Sequence, residues 1–335
     1  MPDLLTDDEV AERMTGSRSV DPLSPPEVST HDPVTAPSSR YFKPSIEAVE
    51  SYSEYLTSEG SFQTGFRPID LCMPGGLDRG DMLLLIGKTH SGKSTAAYNM
   101  VAHNLRRNPD WRAVIFSPDE PRELCIAKLF SIGYGRDSAD TERAIREGNQ
   151  LLIDEFQSAA RGMLDRVLIC DQSLTFSQML SAMSEAEEYW GAPADGVVMD
   201  YLELLPGDSA DNNAVAHKAQ QAKRFAKIAD VPLILLHQIG RGAAPRGKPA
   251  GISGGRFGGE SEAVAVLEVY RPKDREDLGP AERERVEDVV HISICKNKRP
   301  PFRLIDSPMI LDPRSGRIVE PDVFDMQQRD WQDEF

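Results

Sequence analysis

The 335-residue chain is poor in cysteine and has no long apolar run. No two of its four cysteines, Cys72, Cys125, Cys170 and Cys295, lie within five positions of each other. Zinc ribbons and fingers need closely spaced pairs, so they are disfavoured. The four read as reduced thiols in or near a core, in a reducing compartment. Apolar runs such as Met82–Gly87 and Pro232–Leu236 are far below the ~20 residues that a membrane helix needs. The opening residues, MPDLLTDDEV, are acidic and lack a basic-then-apolar leader, so a cytoplasmic location is expected. Apolar residues make up 40% of the chain and aromatics 7%, enough for a core of ordinary size.

The net charge of −16 would oppose nucleic-acid binding if it were uniform. Residues 1–60 hold 12 acids and 4 bases, and residues 319–335 hold 6 acids and 1 base, so the body between them is near neutral. Residues 1–40 are rich in Pro, Ser, Thr and Asp and have little apolar periodicity, which predicts a disordered acidic tail. Within 41–60, Ile46, Val49, Tyr52 and Tyr55 fall at spacings of three, which predicts an amphipathic helix. Residues 320–335 read as a second acidic tail, and 61–319 as the folded core.

In that core, short β-rich runs alternate with helical patterns. Strands are expected at Met82–Ile86, Ala113–Ser117, Arg166–Asp171, Gly196–Asp200 and Pro232–Gln238, and helices at 93–106, 121–132, 143–164, 175–190 and 213–229. This alternation predicts an α/β fold, a mostly parallel sheet with helices on both faces. Ala263–Tyr270, Val289–Cys295 and Phe302–Ile305 then follow with no long helix between them, which predicts antiparallel strands added at the C-terminal edge.

The chemistry concentrates at strand ends. Gly87-Lys88-Thr89-His90-Ser91-Gly92-Lys93-Ser94 matches G-x-x-x-x-G-K-[ST] in full, between an apolar strand and the helix that Thr95 continues. Small residues let successive backbone N–H groups surround a phosphate at a helix N-terminus. Lys93 would reach the β- and γ-phosphates of ATP, and the Ser94 hydroxyl would ligate Mg²⁺. Asp119 and Glu120 end the next strand, where an acid can orient an attacking water. Two segments offer the second magnesium ligand. Leu151–Glu155 lies inside a continuous 3.6-residue period and reads as helix. Asp200, after a turn cluster and an apolar run, is the choice. Gln238 ends another strand as a candidate γ-phosphate sensor. Residues 241–259 carry Arg241, Arg246, Lys248 and Arg256 among many glycines and no acid, as suits a single-stranded nucleic-acid backbone. Lys296, Lys298 and Arg299 cluster at the end of a late strand, where a cation could serve a neighbour's nucleotide.

Taken together, these motifs resemble the RecA-like ATPase domain of DnaB-type replicative helicases, over roughly 60–319. The resemblance rests on the phosphate loop and its lead-in, VIFSPDEP, GVVMDYLELL, PLILLHQIGR, VYRPKD and ISICKNKRPP. It implies a P-loop NTPase core working as a homo-oligomer, a hexameric ring, on single-stranded DNA in a bacterial or phage-infected cell. It implies that Asp119 stands at the catalytic glutamate, Gln238 at the sensor, Lys296 and Lys298 at a trans-acting Lys-x-Arg, and 241–258 at the DNA loop. The helix in 41–60 resembles the linker helix that packs on an adjacent subunit. Asp replaces Glu at 119, and Lys replaces Arg at 298 with Arg299 beside it. Donor chemistry favours Arg299, whose planar fork grips a phosphoryl group with two hydrogen bonds. Residues 1–40 do not resemble the family's primase-engaging helical domain. A filament-forming RecA-like repair ATPase and a weakly hydrolysing helicase loader remain the alternatives.

Overall fold

The computed structural model describes residues 62–202, 212–239, 247–251 and 259–321, with Ser45, Val49 and Tyr52. The predicted tail over 1–40, most of the 41–60 segment and most of 320–335 lie outside the described residues. Ser45, Val49 and Tyr52 are helical, and Val49 and Tyr52 are exposed. They belong to a unit separate from the one formed by residues 56–335.

In the larger unit, a short helix α1 (Arg67–Cys72) leads to β1 (Met82–Gly87), α2 (Lys93–Arg107), β2 (Ala113–Phe116) and α3 (Arg122–Tyr134). Helices α4 (Ser138–Arg146) and α5 (Gln150–Arg161) precede β3 (Val167–Cys170), α6 (Phe176–Trp190) and β4 (Gly196–Met199). The chain continues through α7 (Asn212–Ile228), β5 (Leu233–Gln238), β6 (Ala265–Tyr270) and the single-turn α8 (Pro280–Arg285). It closes with β7 (Val289–Asn297), β8 (Asp306–Leu311) and β9 (Ile318–Val319).

The nine strands form one sheet in the order β3-β2-β4-β5-β1-β6-β7-β8-β9. From β3 to β6 all pairings are parallel, and from β6 to β9 all are antiparallel. All six residues of β1 are buried, as a strand covered on both faces requires. One apolar cluster includes Leu83 and Leu85 with α2 residues Ala97 and Val101, while the other includes Leu84 and Ile86 with α7 residues Ala222 and Phe225. The sheet is therefore the middle of three layers, and its central strand delivers the phosphate loop.

Three expectations need correction. The helix predicted over 143–164 is two helices. Gly148, with φ of 73°, breaks the run, and Asn149 caps α5 by accepting from the Leu152 N–H. The strand predicted at Phe302–Ile305 lies further on, at β8, because cis-Pro301 and Phe302, with φ of 58°, form the turn. The antiparallel region begins one strand later than expected, since β6 runs parallel to β1. The two-residue β9 was too short to carry a sequence signal.

Candidate functional site

Both ends of the phosphate loop are fixed by the backbone. Gly92 enters α2 with φ of 100°, a conformation that strains any residue with a Cβ. At Gly87, an added Cβ would lie 2.5 Å from the Val269 carbonyl and from Ser91 Oγ, so only glycine lets β6 approach here. Lys93 Nζ donates to the Lys88 carbonyl at 2.9 Å, curling over the loop. Ser91 Oγ is buried and has no hydrogen-bond partner.

The loop forms one wall of a cleft of about 560 Å³ at the carboxyl ends of the parallel strands. Thr89, His90, Gly92, Lys93, Ser94 and Thr95 line it, together with Asp119, Glu120, Asp200 and Gln238. The cleft thus brings together four strand ends that lie far apart in the chain. Gln238 Nε2 donates to Thr89 Oγ1, tying the tip of β5 to the loop. The Ser94 hydroxyl bonds the Asp200 carboxylate, so the two proposed metal ligands already touch. Asp200 is 8% exposed, and burial pushes its carboxyl upward. Ser94 and Lys93 oppose that rise, and Glu120 and Asp119 add to it. A cation beside Asp200 would reverse the effect.

The two acids after β2 differ. Glu120 pairs with Lys128 Nζ at 2.5 Å. Asp119 is exposed and makes no side-chain hydrogen bond or ion pair among the described residues. Asp154 and Glu155 sit on α5, away from the cleft, where they accept from Gln150 and Arg136.

Sequence reasoning missed three lining residues. Arg271 follows β6, donates to the Glu287 carbonyl at 2.6 Å and keeps a buried, unpartnered Nε. Tyr201 follows Asp200, and Leu311 ends β8. The position of Arg271, one residue past a strand in this sheet, was the available signal. Leu311 had none, because its strand was misplaced.

The late cations lie elsewhere. The Lys298 N–H donates to the Val264 carbonyl, and the Val264 N–H donates to the Met82 carbonyl, at the amino end of β1. Five strand steps, about 16 Å, separate that end from the phosphate loop. The Arg299 guanidinium binds both Asp78 and Asp81 and is 16% exposed. Lys298 is exposed, and its Nζ donates to the Ser261 carbonyl at 2.8 Å. Lys296 Nζ donates to the Glu260 carbonyl. The preference for Arg299 therefore meets an obstacle: its fork is occupied within its own chain. Of the basic-loop residues, Lys248 is exposed and lies 3.8 Å from Asp277, whereas Arg241, Arg246 and Arg256 are outside the described residues.

All four cysteines are free thiols. No described helix is long and apolar enough to cross a membrane.

The family model for the DnaB-like helicase C-terminal domain matches residues 61–306. The replicative DNA helicase DnaB of Synechocystis sp. is 28% identical over 205 residues, covering 59% of this chain and 22% of that protein. The chain thus matches about a fifth of that relative's length. Among solved structures, an isolated ATPase domain aligns with a TM-score of 0.68 at 19% identity, over 83% of this chain and 98% of the other. A DnaB-like replicative helicase, studied with its interactions with primase, aligns with a TM-score of 0.67 at 17% identity, over 84% and 67%. The last two establish the fold, a RecA-like core. The family match covers most of the chain, which therefore belongs to the DnaB-like helicase C-terminal domain family.

Proposed function

We propose that this chain is the motor of an ATP-dependent DNA helicase, which assembles into a ring and moves along single-stranded DNA during replication. The observation that carries this is the single cleft uniting the phosphate loop with Asp119, Glu120, Asp200 and Gln238. A triphosphate fits the loop. Glycine at 87 and 92 opens the cradle, and buried Ser91 Oγ lacks a partner. A magnesium ion fits the adjoining hydroxyl and carboxylate of Ser94 and Asp200. When bound, the ion would neutralise phosphate charge.

The remaining roles follow from position. Lys93 leaves the Lys88 carbonyl for the phosphates and stabilises charge on the transferring group. Asp119, unpaired at the cleft edge, orients the attacking water, while Glu120 is occupied by Lys128. Gln238 reads the γ-phosphate position and hands it to the chain leading into 241–258. Arg271 and Leu311 supply a cationic and an apolar surface for the rest of the nucleotide. Lys298, exposed and about 16 Å from its own phosphate loop, can serve only a neighbour's nucleotide, which favours it over Arg299. Arg241, Arg246, Lys248 and Arg256 contact the DNA backbone.

The test is ATP hydrolysis with and without single-stranded DNA, alongside mass measurement with ATP. Stimulated hydrolysis by closed rings supports the proposal. Long filaments in electron microscopy point to a repair ATPase. Absent hydrolysis with retained ATP binding points to a loader.

A further inference from the structure

Glu268 is an acid where a strand residue should be apolar. It lies in β6, 1% exposed, paired in register with Ile86, the residue before the phosphate loop begins. Its strand neighbours Val266, Leu267 and Val269 are all buried and hydrophobic. A carboxylate in that setting must be compensated. Among the described residues no cation pairs with it. Its oxygens instead accept from the backbone N–H groups of Ala250 and Gly251, at 2.6 and 2.8 Å. The Cys295 thiol adds a weaker contact at 3.6 Å.

Residues 247–251 thus hang on this one side chain at their C-terminal end. At the other end, Gly247 adopts φ of 69°, and a Cβ there would lie 2.5 Å from the Arg275 N–H nitrogen and 2.9 Å from the Arg271 carbonyl. Lys248, exposed, sits between the two anchors. Nothing about folding requires a charged anchor at this place. An apolar residue would fill the layer without a desolvation cost. What the carboxylate adds is direction, because only an acceptor can fix two N–H groups.

We propose that Glu268 is a positioning residue for nucleic-acid binding. Its buried carboxylate holds the backbone beside Lys248 in register with the phosphate-loop strand, so that the Lys248 ammonium is presented to a DNA phosphate. This rests on the single-stranded DNA reading above. Glu268→Gln keeps the volume but replaces one acceptor oxygen with a donor facing a donor.

The test measures the affinity of the full chain for labelled oligo(dT), as a function of salt, for wild type, Glu268→Gln, Lys248→Ala and the double variant. Losing one phosphate contact lowers the log–log salt slope by ~0.7. The expected result is that Glu268→Gln and Lys248→Ala each lose about that much, weakening binding about three- to tenfold near physiological salt. The double variant should lose no more than either alone. Affinity for a fluorescent ATP analogue should stay within twofold in Glu268→Gln, which a general loss of structure would not allow. Ala250→Pro, which deletes one donor and leaves the acid intact, should reproduce the DNA defect if the Gln variant folds poorly. An unchanged slope in Glu268→Gln, or additive losses in the double variant, overturns the proposal. If the wild type itself fails to bind oligo(dT), the functional reading falls first and takes this inference with it.

Discussion

The two ends of the sheet use their cations differently. At the carboxyl end, Lys93 rests on a neutral carbonyl, that of Lys88. At the amino end, Arg299 is gripped by two carboxylates, Asp78 and Asp81, which push its proton affinity further up. Lys298 and Lys296, close in sequence to Arg299, follow the first pattern and rest on the carbonyls of Ser261 and Glu260. A carbonyl releases an ammonium to a phosphate at little cost. A pair of carboxylates does not, since separation would strand two negative charges with little access to water. Proximity in sequence is therefore a poor guide to role. The partner that holds a cation says whether it is available to a ligand or spent on the fold.

The sharpest test of that division is at Lys93. Lys93→Ala should lower ATP hydrolysis by about a thousandfold or more, while thermal unfolding stays near wild type. Near-normal turnover would break the assignment of the cleft.

The amino end should respond in the opposite way. Arg299→Ala should destabilise the protein by about 3–5 kcal/mol, because both partnering acids are more than four-fifths buried. Lys298→Ala should change stability by less than about 0.5 kcal/mol, yet remove hydrolysis from assembled protein. Mixing Lys298→Ala with Lys93→Ala should restore part of the activity, since some interfaces then pair an intact loop with an intact lysine. Denaturant titration and a mixed-subunit ATPase assay read both effects. A stable, active Arg299→Ala would show that the double ion pair contributes nothing, and an inert mixture would remove Lys298 from the neighbour's site.

The same contrast between tied and free groups separates the two acids after β2. Asp119→Asn should slow hydrolysis about a hundredfold. Glu120→Gln, which only loosens Lys128, should slow it less than about tenfold. The reverse order in turnover would make Glu120 the catalytic acid and its lysine pair a latch.

Much of this was legible in the sequence because the signals were local. A phosphate loop needs its glycines wherever it occurs, and the runs around Leu84, Val197 and Leu235 read as buried strands without reference to their neighbours. The helical reading of Leu151–Glu155 held for the same reason: its 3.6-residue period is continuous, and α5 contains it. The failures were not local. Neither Asp78 nor Asp81 announces that it will meet Arg299 more than two hundred positions away. Glu268 looks like an error in a strand until Ala250 and Gly251 arrive beside it. Leu311 could reach the cleft only once the turn at Pro301 and Phe302 had been placed. Long-range pairing decides these roles, and a single sequence carries no record of it.

The smallest effect expected concerns Asp200, the one buried acid of the cleft. Its carboxyl is pushed upward chiefly by burial, against the Ser94 hydroxyl bond and the Lys93 charge. A carboxyl raised in the folded state binds its proton more tightly there than in the unfolded chain. Its contribution to stability is therefore greatest below the ordinary carboxylate range, and it declines as pH rises through the folded-state value. Without nucleotide, the wild type at neutral pH carries this buried charge as a burden. Asp200→Asn removes the charge and keeps an oxygen that can accept from Ser94. The variant should melt slightly higher than wild type at neutral pH, by ~1–3 °C, and the gap should close toward pH 4. Magnesium and a non-hydrolysable ATP analogue should invert the order, stabilising the wild type more than the variant, because only the carboxylate holds the ion. This is the cleft's counterpart to Arg299. There an opposite charge is built into the chain, and here it must come with the ligand. A variant that melts lower than wild type at neutral pH without nucleotide would show that the chain already compensates Asp200, and the contrast between the two ends would fail at this residue.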